Sequence, residues 1–179
     1  VRKASDELEK QGILERQPNR GVQVRAFEPS VVNDLYDIRE ALEGAAVAKI
    51  AFPVSAGVLD ALKETTAAHC AASRRGDMRN LLDLNDRFHE AVYALAHNPE
   101  LSAAIRHYAL VTLPIRSRSF PETAFRETAI VEHSEQIEAL ASGDRPKLAT
   151  LCREHIRRPM ESYLATQITR GGSALGDRN

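Results

Sequence analysis

The spacing of apolar side chains divides this chain into a short mixed segment and a long helical one. A helical spacing of apolar residues runs from Val1 to Leu8 and stops at Gly12, a residue type that readily closes a helix. Two short segments, residues 13–17 and 21–25, then flank the turn-type sequence Pro-Asn-Arg-Gly. The pattern predicts a short helix followed by a β-hairpin.

From Ser30 onward the apolar period is helical throughout, which predicts an all-α antiparallel bundle of about six or seven helices. Ser30 is the expected N-cap of the first helix, Pro114 is expected to kink or break the fourth, and Pro159 is expected to bend the last. The side chains predicted to face inward on the first helix are Leu35, Ile38, Leu42, Ala45 and Ile50.

Charge divides the chain in the same way. The 179 residues carry 24 Lys and Arg against 25 Asp and Glu, a formal charge of -1, yet the first 25 residues hold six basic and four acidic side chains. We therefore predict a basic module at residues 1–26, a helical domain at residues 30–169, and a disordered tail at residues 170–179, where the composition is turn-like. The first module is too short to fold alone.

Cysteine usage and the absence of export signals predict a cytoplasmic protein. Cys70 and Cys152 are too few for a disulfide framework, and the sequence contains no signal peptide and no transmembrane run. The chain opens on Val1, without an initiator Met and already in a helical pattern. We expect it to begin partway through a longer protein.

Four polar residues occupy apolar rows of three predicted helices. Asn85 and His89 lie one turn apart on one face, while His133 and His155 sit in the inner rows of the fifth and sixth helices. Three imidazoles and an amide oxygen suit a divalent transition metal, zinc first and nickel or manganese as alternatives. The alternative interpretation, favoured for any single histidine, is a core polar residue satisfied by a neighbour or a buried water.

The remaining histidines are left out of this predicted site. His97 lies at a helix end, His107 falls off the apolar stripe, and His69 lacks other ligand-type partners nearby in the sequence. A metal-dependent hydrolase or lyase that uses the same histidines would also need a general base, but Glu90 and Glu154 adjoin His89 and His155 at about 100° around the helix. We therefore predict that the protein is not an enzyme.

Three arginines are candidates for binding an anion within the bundle. Arg39 lies near the core stripe of the first helix, and Arg116 and Arg118 follow the predicted break at Pro114. A guanidinium can hold a carboxylate or phosphate through two parallel hydrogen bonds. For Arg39 the alternative is an i,i+4 ion pair with Glu43.

The first module has the order of elements found in half of a winged helix-turn-helix. A helix carrying Arg2 and Lys3 precedes a hairpin whose tip contains Arg20 and Gly21. In a winged helix-turn-helix such a helix enters the major groove and such a hairpin contacts the DNA backbone or minor groove. The alternative is an ordinary helix and hairpin with surface charges.

Taken together, these segments resemble the GntR family of bacterial transcription regulators, in its FadR-like branch with an FCD ligand-binding domain. The segments that carry the resemblance are VRKA at 1–4, LEKQGILER at 8–16, PNRGV at 18–22, LYDIREALE at 35–43, Phe88-His89, Asn98-Pro99, Glu132-His133, Gly143-Asp144 and His155. The first three look like the end of a DNA-binding module, and the others look like an effector domain.

The resemblance implies a homodimeric, metabolite-responsive regulator that binds operator DNA and a small carboxylate effector. In metal-binding members an acidic residue one turn before the first histidine joins three histidines around the ion. Asn85 holds that position here, which keeps an oxygen ligand but removes its charge. Lys3 replaces the Glu common after the recognition-helix Arg, so the operator preference of the family does not carry over.

Overall fold

The computed structural model describes residues 5–6, 8–9, 13–17 and 21–176, with side chains to residue 167. The four described residues before residue 10 are helical, and an antiparallel hairpin follows, formed by β1 (Leu14–Gln17) and β2 (Gly21–Val24). Leu14 lies opposite Val24, and Gly21 has a φ of 82°, a value that glycine adopts without strain. The predicted hairpin is thus confirmed.

The rest of the described chain is helical, as the apolar period predicts. Seven helices follow the hairpin within the described residues: α1 (Pro29–Lys49), α2 (Ala56–Arg75), α3 (Met78–Ala94), α4 (Pro99–Val111), α5 (Leu113–Arg116), α6 (Thr123–Ser142) and α7 (Arg145–Gly176). None of them is long and apolar enough to cross a lipid bilayer. Six of the helices contact one another in a closed ring, in the order α1, α7, α6, α2, α3, α4 and back to α1.

Prolines and polar caps decide where several helices begin and end. Pro29 occupies the first turn of α1 and Glu28 is its N-cap, so the predicted cap at Ser30 is wrong, because Pro suits the first helical position. The Asp77 side chain accepts a hydrogen bond from the backbone N–H of Asn80 and caps α3. The predicted break before Pro114 is present, since α4 ends at Val111 and α5 is a separate short turn.

The last helix runs further than its sequence suggests. Pro159 lies inside α7, and the backbone remains helical to Gly176, where the turn-type composition predicts disorder from residue 170. Extending an existing helix adds a hydrogen bond for each residue fixed and needs no new nucleus, which offsets the weak propensity of this segment. Residues 177–179 lie outside the described part.

The buried face of α1 differs from the predicted one. Ile38 is exposed, and so is Ala45, although both belong to the predicted apolar row. The face that packs inward instead contains a charged pair, Arg39 and Glu43, among apolar neighbours such as Tyr36. The apolar pattern is therefore misleading at this helix, because two of its buried positions carry ionised side chains that neutralise each other.

A small apolar cluster attaches the segment after the hairpin to the bundle. Phe27 packs with Tyr36, Ile115 and Tyr163, which come from α1, α5 and α7. The Tyr163 hydroxyl accepts a hydrogen bond from the Phe27 backbone N–H at 3.0 Å and donates one to the Phe27 carbonyl at 3.3 Å. Both polar groups of a buried backbone position are thus paired with one side chain. We refer to these four residues as the Phe27 cluster.

Candidate metal centre and anion pocket

Three helices of the ring each place one histidine at a common point. His89 comes from α3, His133 from α6 and His155 from α7, and one ligand nitrogen of each lies within 4.8 Å of the others. The Nε2 atoms of His89 and His155 are 3.0 Å apart. The structure therefore brings together the three histidines that the sequence pattern singles out. We call them the histidine cluster.

A buried carboxylate orients one member of the histidine cluster. Glu132 Oε2 accepts a hydrogen bond from His155 Nδ1 at 2.7 Å, and Glu132 also pairs with Arg158. Because an ionised carboxylate can only accept, Nδ1 of His155 carries the proton and Nε2 faces the cluster. Burial opposes ionisation of Glu132, but His155 and Arg158 together outweigh that effect and lower its pKa.

Glu132 was not among the residues predicted to form the site. It directly precedes His133, but its side chain reaches across to α7 rather than along its own helix. The only available signal is its place in the Glu132-His133 motif of the family resemblance.

The other two histidines of the cluster are neutral. Burial, followed by the nearby His155, lowers the pKa of both His89 and His133 well below the ordinary value. His133 stacks on Phe88 with ring centroids 4.0 Å apart. Within the described part of the protein, neither nitrogen of His133 has a hydrogen-bond partner, and neither does Nδ1 of His89. A neutral imidazole with an unshared lone pair is the form that binds a metal ion.

The geometry of this cluster fits one metal ion. Two nitrogen ligands at about 2.1 Å from one ion are roughly 3.0 to 3.4 Å apart, and the two Nε2 atoms of His89 and His155 stand at 3.0 Å. Buried polar atoms are almost always paired in folded proteins, so the unpartnered nitrogens of His133 also point to a ligand. Three imidazoles suit zinc or nickel better than manganese, which prefers oxygen ligands.

Asn85 lies beside the cluster, one turn before His89. It is buried and lines a small cavity together with His89 and His155. Its amide nitrogen donates to Asp86 Oδ1 at 3.3 Å. Asp86 in turn pairs with Arg116.

A fourth imidazole, which the sequence analysis left out, packs against the cluster. His69 of α2 is fully buried, and its ring centroid lies 5.2 Å from that of His133. Burial lowers its pKa to about 4. The sequence offers no partner near His69 because the partner comes from α6, far along the chain.

A cavity of about 120 Å³ opens beside the histidine cluster. Arg39 and Arg116, both predicted to bind an anion, line this cavity together with His89 and Tyr93. Arg118 does not line it; that side chain is exposed and lies over the Tyr163 ring at 5.0 Å. Two of the three arginines are thus placed next to the predicted metal ligands.

Each of the two cavity arginines already has a carboxylate partner. Arg39 donates to Glu43 at 2.8 and 3.0 Å, which is the alternative considered for this residue, and to the Thr112 hydroxyl at 3.3 Å. Arg116 donates to Asp86 at 2.8 Å. Burial disfavours the charge on Arg39, but Glu43 outweighs it and raises the pKa of the guanidinium.

The candidate general bases occupy the edge of the site. Glu90 lines the cavity, contrary to the orientation expected from the helix, but its side chain is half exposed and faces Arg106 at 4.0 Å. Glu154 is exposed. Within the described chain, neither carboxylate forms a hydrogen bond with a histidine of the cluster.

The predicted DNA-contacting residues are mostly outside the described part of the chain. Arg2, Lys3 and Arg20 belong to the ranges that are not described. Gly21 is described and begins β2 at the tip of the hairpin.

Comparison with known proteins agrees with this architecture. An uncharacterized HTH-type transcriptional regulator of Agrobacterium vitis, from the TAR-I ttuE-ttuC' intergenic region, is 33% identical over 99 residues, or 54% of this chain. The chain spans 58% of the length of that relative.

Two solved structures share the fold. A transcriptional regulator GntR of Rhodococcus sp. RHA1 matches with a TM-score of 0.74 at 19% identity, covering 92% of this chain and 79% of that one. E. coli McbR/YncC matches with a TM-score of 0.70 at 22% identity, covering 95% and 84%. The FCD domain model matches residues 34–158. The chain therefore belongs to the FCD domain family, and the predicted kinship with GntR-type transcriptional regulators is confirmed.

Proposed function

We propose that this chain is the sensing part of a cytoplasmic, metabolite-responsive transcription regulator, and that a divalent metal on the histidine cluster helps it bind a small carboxylate. One observation carries the proposal: three imidazoles converge beside a cavity lined by two buried arginines, and among the described residues neither nitrogen of His133 has a partner. Buried polar atoms are normally paired, so an unpartnered ring at the point where three imidazoles meet favours a ligand.

Each residue of the site has a distinct part in this proposal. His89, His133 and His155 hold the ion, and Asn85 supplies an uncharged oxygen beside them. The ion would act as a Lewis acid toward the effector carboxylate. Glu132 keeps Nε2 of His155 turned toward the cluster, and its charge offsets part of the charge of the ion.

Arg39 and Arg116 bind the remainder of the effector. Both guanidiniums are held in place by carboxylates, so an incoming anion meets donors that are already oriented. The cavity volume of about 120 Å³ suits an acid of a few carbon atoms and is too small for a long acyl chain. Arg118, on the exposed surface, is not part of this contact.

The short helix α5 connects the cavity to the segment that carries the hairpin. Arg116 reaches Asp86 in the cavity, and the adjacent Ile115 packs in the Phe27 cluster. Tyr163 holds both backbone groups of Phe27. A shift of Arg116 would therefore also displace the segment that joins the hairpin to the bundle.

In this proposal the regulator acts as a homodimer on operator DNA. The residues that contact DNA are Arg2, Lys3, Arg20 and Gly21. The effector shifts the dimer between arrangements in which its two DNA-binding modules have the same spacing as the operator half-sites and arrangements in which they do not.

Metal content is the first test. Protein prepared without a His tag should contain close to one zinc or nickel ion per chain, and chelator-treated protein should take up Zn²⁺ in a calorimetric titration. His133→Ala and His155→Ala should lose this binding, while His107→Ala, a change at an exposed position on α4, should keep it. No stoichiometric metal and no heat of binding in the wild type would overturn the metal site.

Effector binding is tested with a panel of three- to six-carbon hydroxy- and dicarboxylates. We expect at least one to raise the thermal midpoint of the zinc-loaded protein, and Arg116→Gln to abolish the shift. Full-length protein should also prefer its own upstream DNA to random duplex, and equal binding to both would contradict a regulatory role.

A further inference from the structure

His69 is a buried polar side chain that the proposed function does not use. It lies on the face of α2 that packs against α6, and it is 0% exposed. Neither of its ring nitrogens has a hydrogen-bond partner among the described residues. A buried imidazole must carry at least one N–H, and an unpaired N–H in an apolar interior is unfavourable. A leucine would fill the same space without this penalty, so the ring calls for an explanation.

The closeness of His69 to His133 suggests why a histidine occupies this position. Its ring centroid is 5.2 Å from that of His133, and the two planes are inclined by 37°. Two imidazoles joined by one N–H···N hydrogen bond have their centroids roughly 5 Å apart, since the two nitrogens approach to about 2.9 Å. Turning an imidazole by half a rotation exchanges its nitrogens for carbons without changing the shape of the ring. One such turn would pair a nitrogen of each residue.

His133 lacks a hydrogen-bond partner for its second nitrogen, and so does His89, whose Nδ1 is unpaired among the described residues. A metal-binding histidine ordinarily donates its second N–H to a neighbouring group, which fixes the tautomer. His155 has Glu132 for this purpose. His133 has Phe88 stacked against its face, and the tilted ring of His69 is its neighbour from α2. Both nitrogens of His133 are buried and have no partner among the described residues.

We propose that His69 is a positioning residue for His133: it pairs with the His133 nitrogen that faces away from the cluster and leaves the other nitrogen for the metal. The inference rests on the proposed metal site and adds a residue to it. His69 accepts the N–H of His133 on one nitrogen and does not contact the ion. Unlike Glu132, it brings no negative charge to the site.

The decisive variant is His69→Leu, because a positioning role and a structural role predict different results. After chelator treatment, the thermal midpoint of the variant should stay within a few degrees of the wild type, because loss of the His69–His133 hydrogen bond is offset by replacing the remaining unpaired N–H of His69 with an apolar side chain. Its Zn²⁺ affinity, measured by competition with a chelating dye, should fall about 10- to 100-fold. His69→Gln, which retains a donor and an acceptor, should recover part of the affinity.

Thr66→Val is the matched control. Thr66 lies one turn before His69 on the same buried face, and its hydroxyl also lacks a partner in the described part of the chain. We expect Zn²⁺ affinity within about 2-fold of the wild type for this variant, because a change one turn away leaves the His133 ring untouched.

An NMR measurement tests the same pairing without metal. The ¹⁵N shifts of His133 should report one fixed tautomer in the wild type and a mixture in His69→Leu. Unchanged Zn²⁺ affinity in His69→Leu would overturn the inference. It would also fail if stability and affinity fell together and His69→Gln restored neither. Wild-type protein that binds no Zn²⁺ would overturn the proposed function and this inference together, whereas zinc binding that is indifferent to His69 would overturn the inference alone.

Discussion

Two groups of buried polar side chains lie next to each other inside the helical ring, and they differ in how well they are paired. In the first, Glu43 accepts hydrogen bonds from Arg39 and from the Tyr93 hydroxyl, and Arg39 also donates one to the Thr112 hydroxyl. In the second, the histidine cluster leaves several buried nitrogens without a partner among the described residues. We call the first group the Glu43 network.

The difference shows what each group contributes. The Glu43 network is complete, so it links α1 to α3 and to the end of α4 and orients Arg39 toward the cavity. The histidine cluster is incomplete, so under the proposed function it should cost stability without a ligand and gain stability when one binds. Four predictions test this contrast, in decreasing order of expected effect.

The largest effect is expected from breaking the Glu43 network. Glu43→Leu leaves the buried guanidinium of Arg39 without its counter-charge and should lower the free energy of unfolding by about 3–5 kcal/mol. Urea denaturation measures this loss. Glu64→Leu, at an exposed position of α2, should change it by less than about 0.5 kcal/mol.

A double variant tests whether the loss comes from the unpaired charge. Arg39→Met with Glu43→Leu removes both ions and should recover most of the stability. If the double variant were as unstable as the single one, packing rather than charge would explain the effect.

The second prediction concerns metal and stability. Zn²⁺ at about 100 times its dissociation constant should stabilise the protein by about 2.7 kcal/mol. His133→Ala should abolish the gain and His107→Ala should preserve it, as judged by urea denaturation with and without Zn²⁺. An equal gain in His133→Ala would place the ion elsewhere.

The third prediction concerns pH in the metal-free protein. Burial lowers the pKa of His69 to about 4 and those of His89 and His133 well below 6.5, so the folded chain keeps these rings neutral. The unfolded chain takes up protons on them below pH 6.5, and stability should therefore fall as the pH decreases from 6.5. Each ring contributes at most about 1.4 kcal/mol per pH unit.

The contribution of His69 should end near pH 4, where the folded protein also begins to bind the proton. In urea denaturation between pH 7 and pH 4.5, His69→Leu should show a shallower decrease than the wild type. Thr66→Val should follow the wild type. A pH-independent free energy of unfolding in the wild type would contradict the neutral, buried state of these rings.

The smallest effect is expected where a buried arginine meets a partly exposed carboxylate. Asp86→Asn removes the charge opposite Arg116, but Asp86 is 37% exposed and Arg116 keeps a hydrogen bond to the Ala109 carbonyl. We expect a loss of roughly 1 kcal/mol in the free energy of unfolding. A loss as large as that of Glu43→Leu would show that the two arginines depend equally on their carboxylates.

Several features of the fold were predictable because they depend on one helix at a time. The breaks at Pro114 and Gly143 follow from local backbone chemistry, and Gly143 caps α6 in the left-handed conformation with a φ of 73°. The inward position of His133 follows from the 3.6-residue period of its own helix. The same period fails on α1, where Arg39 and Glu43 occupy core positions that an apolar count assigns to solvent.

The amino-acid sequence by itself determined which segments are helical and which faces of α3, α6 and α7 carry imidazoles, because these properties depend on neighbours a few residues apart. Three contacts follow from the packing of the helices and not from any local pattern. Glu132 hydrogen-bonds His155, and His69 packs against His133. Arg116 lines the cavity, whereas Arg118 does not. These contacts join residues on different helices or depend on the interruption between α4 and α5. Their distances depend on how far one helix is shifted and rotated against another, and that is set by packing across the whole ring.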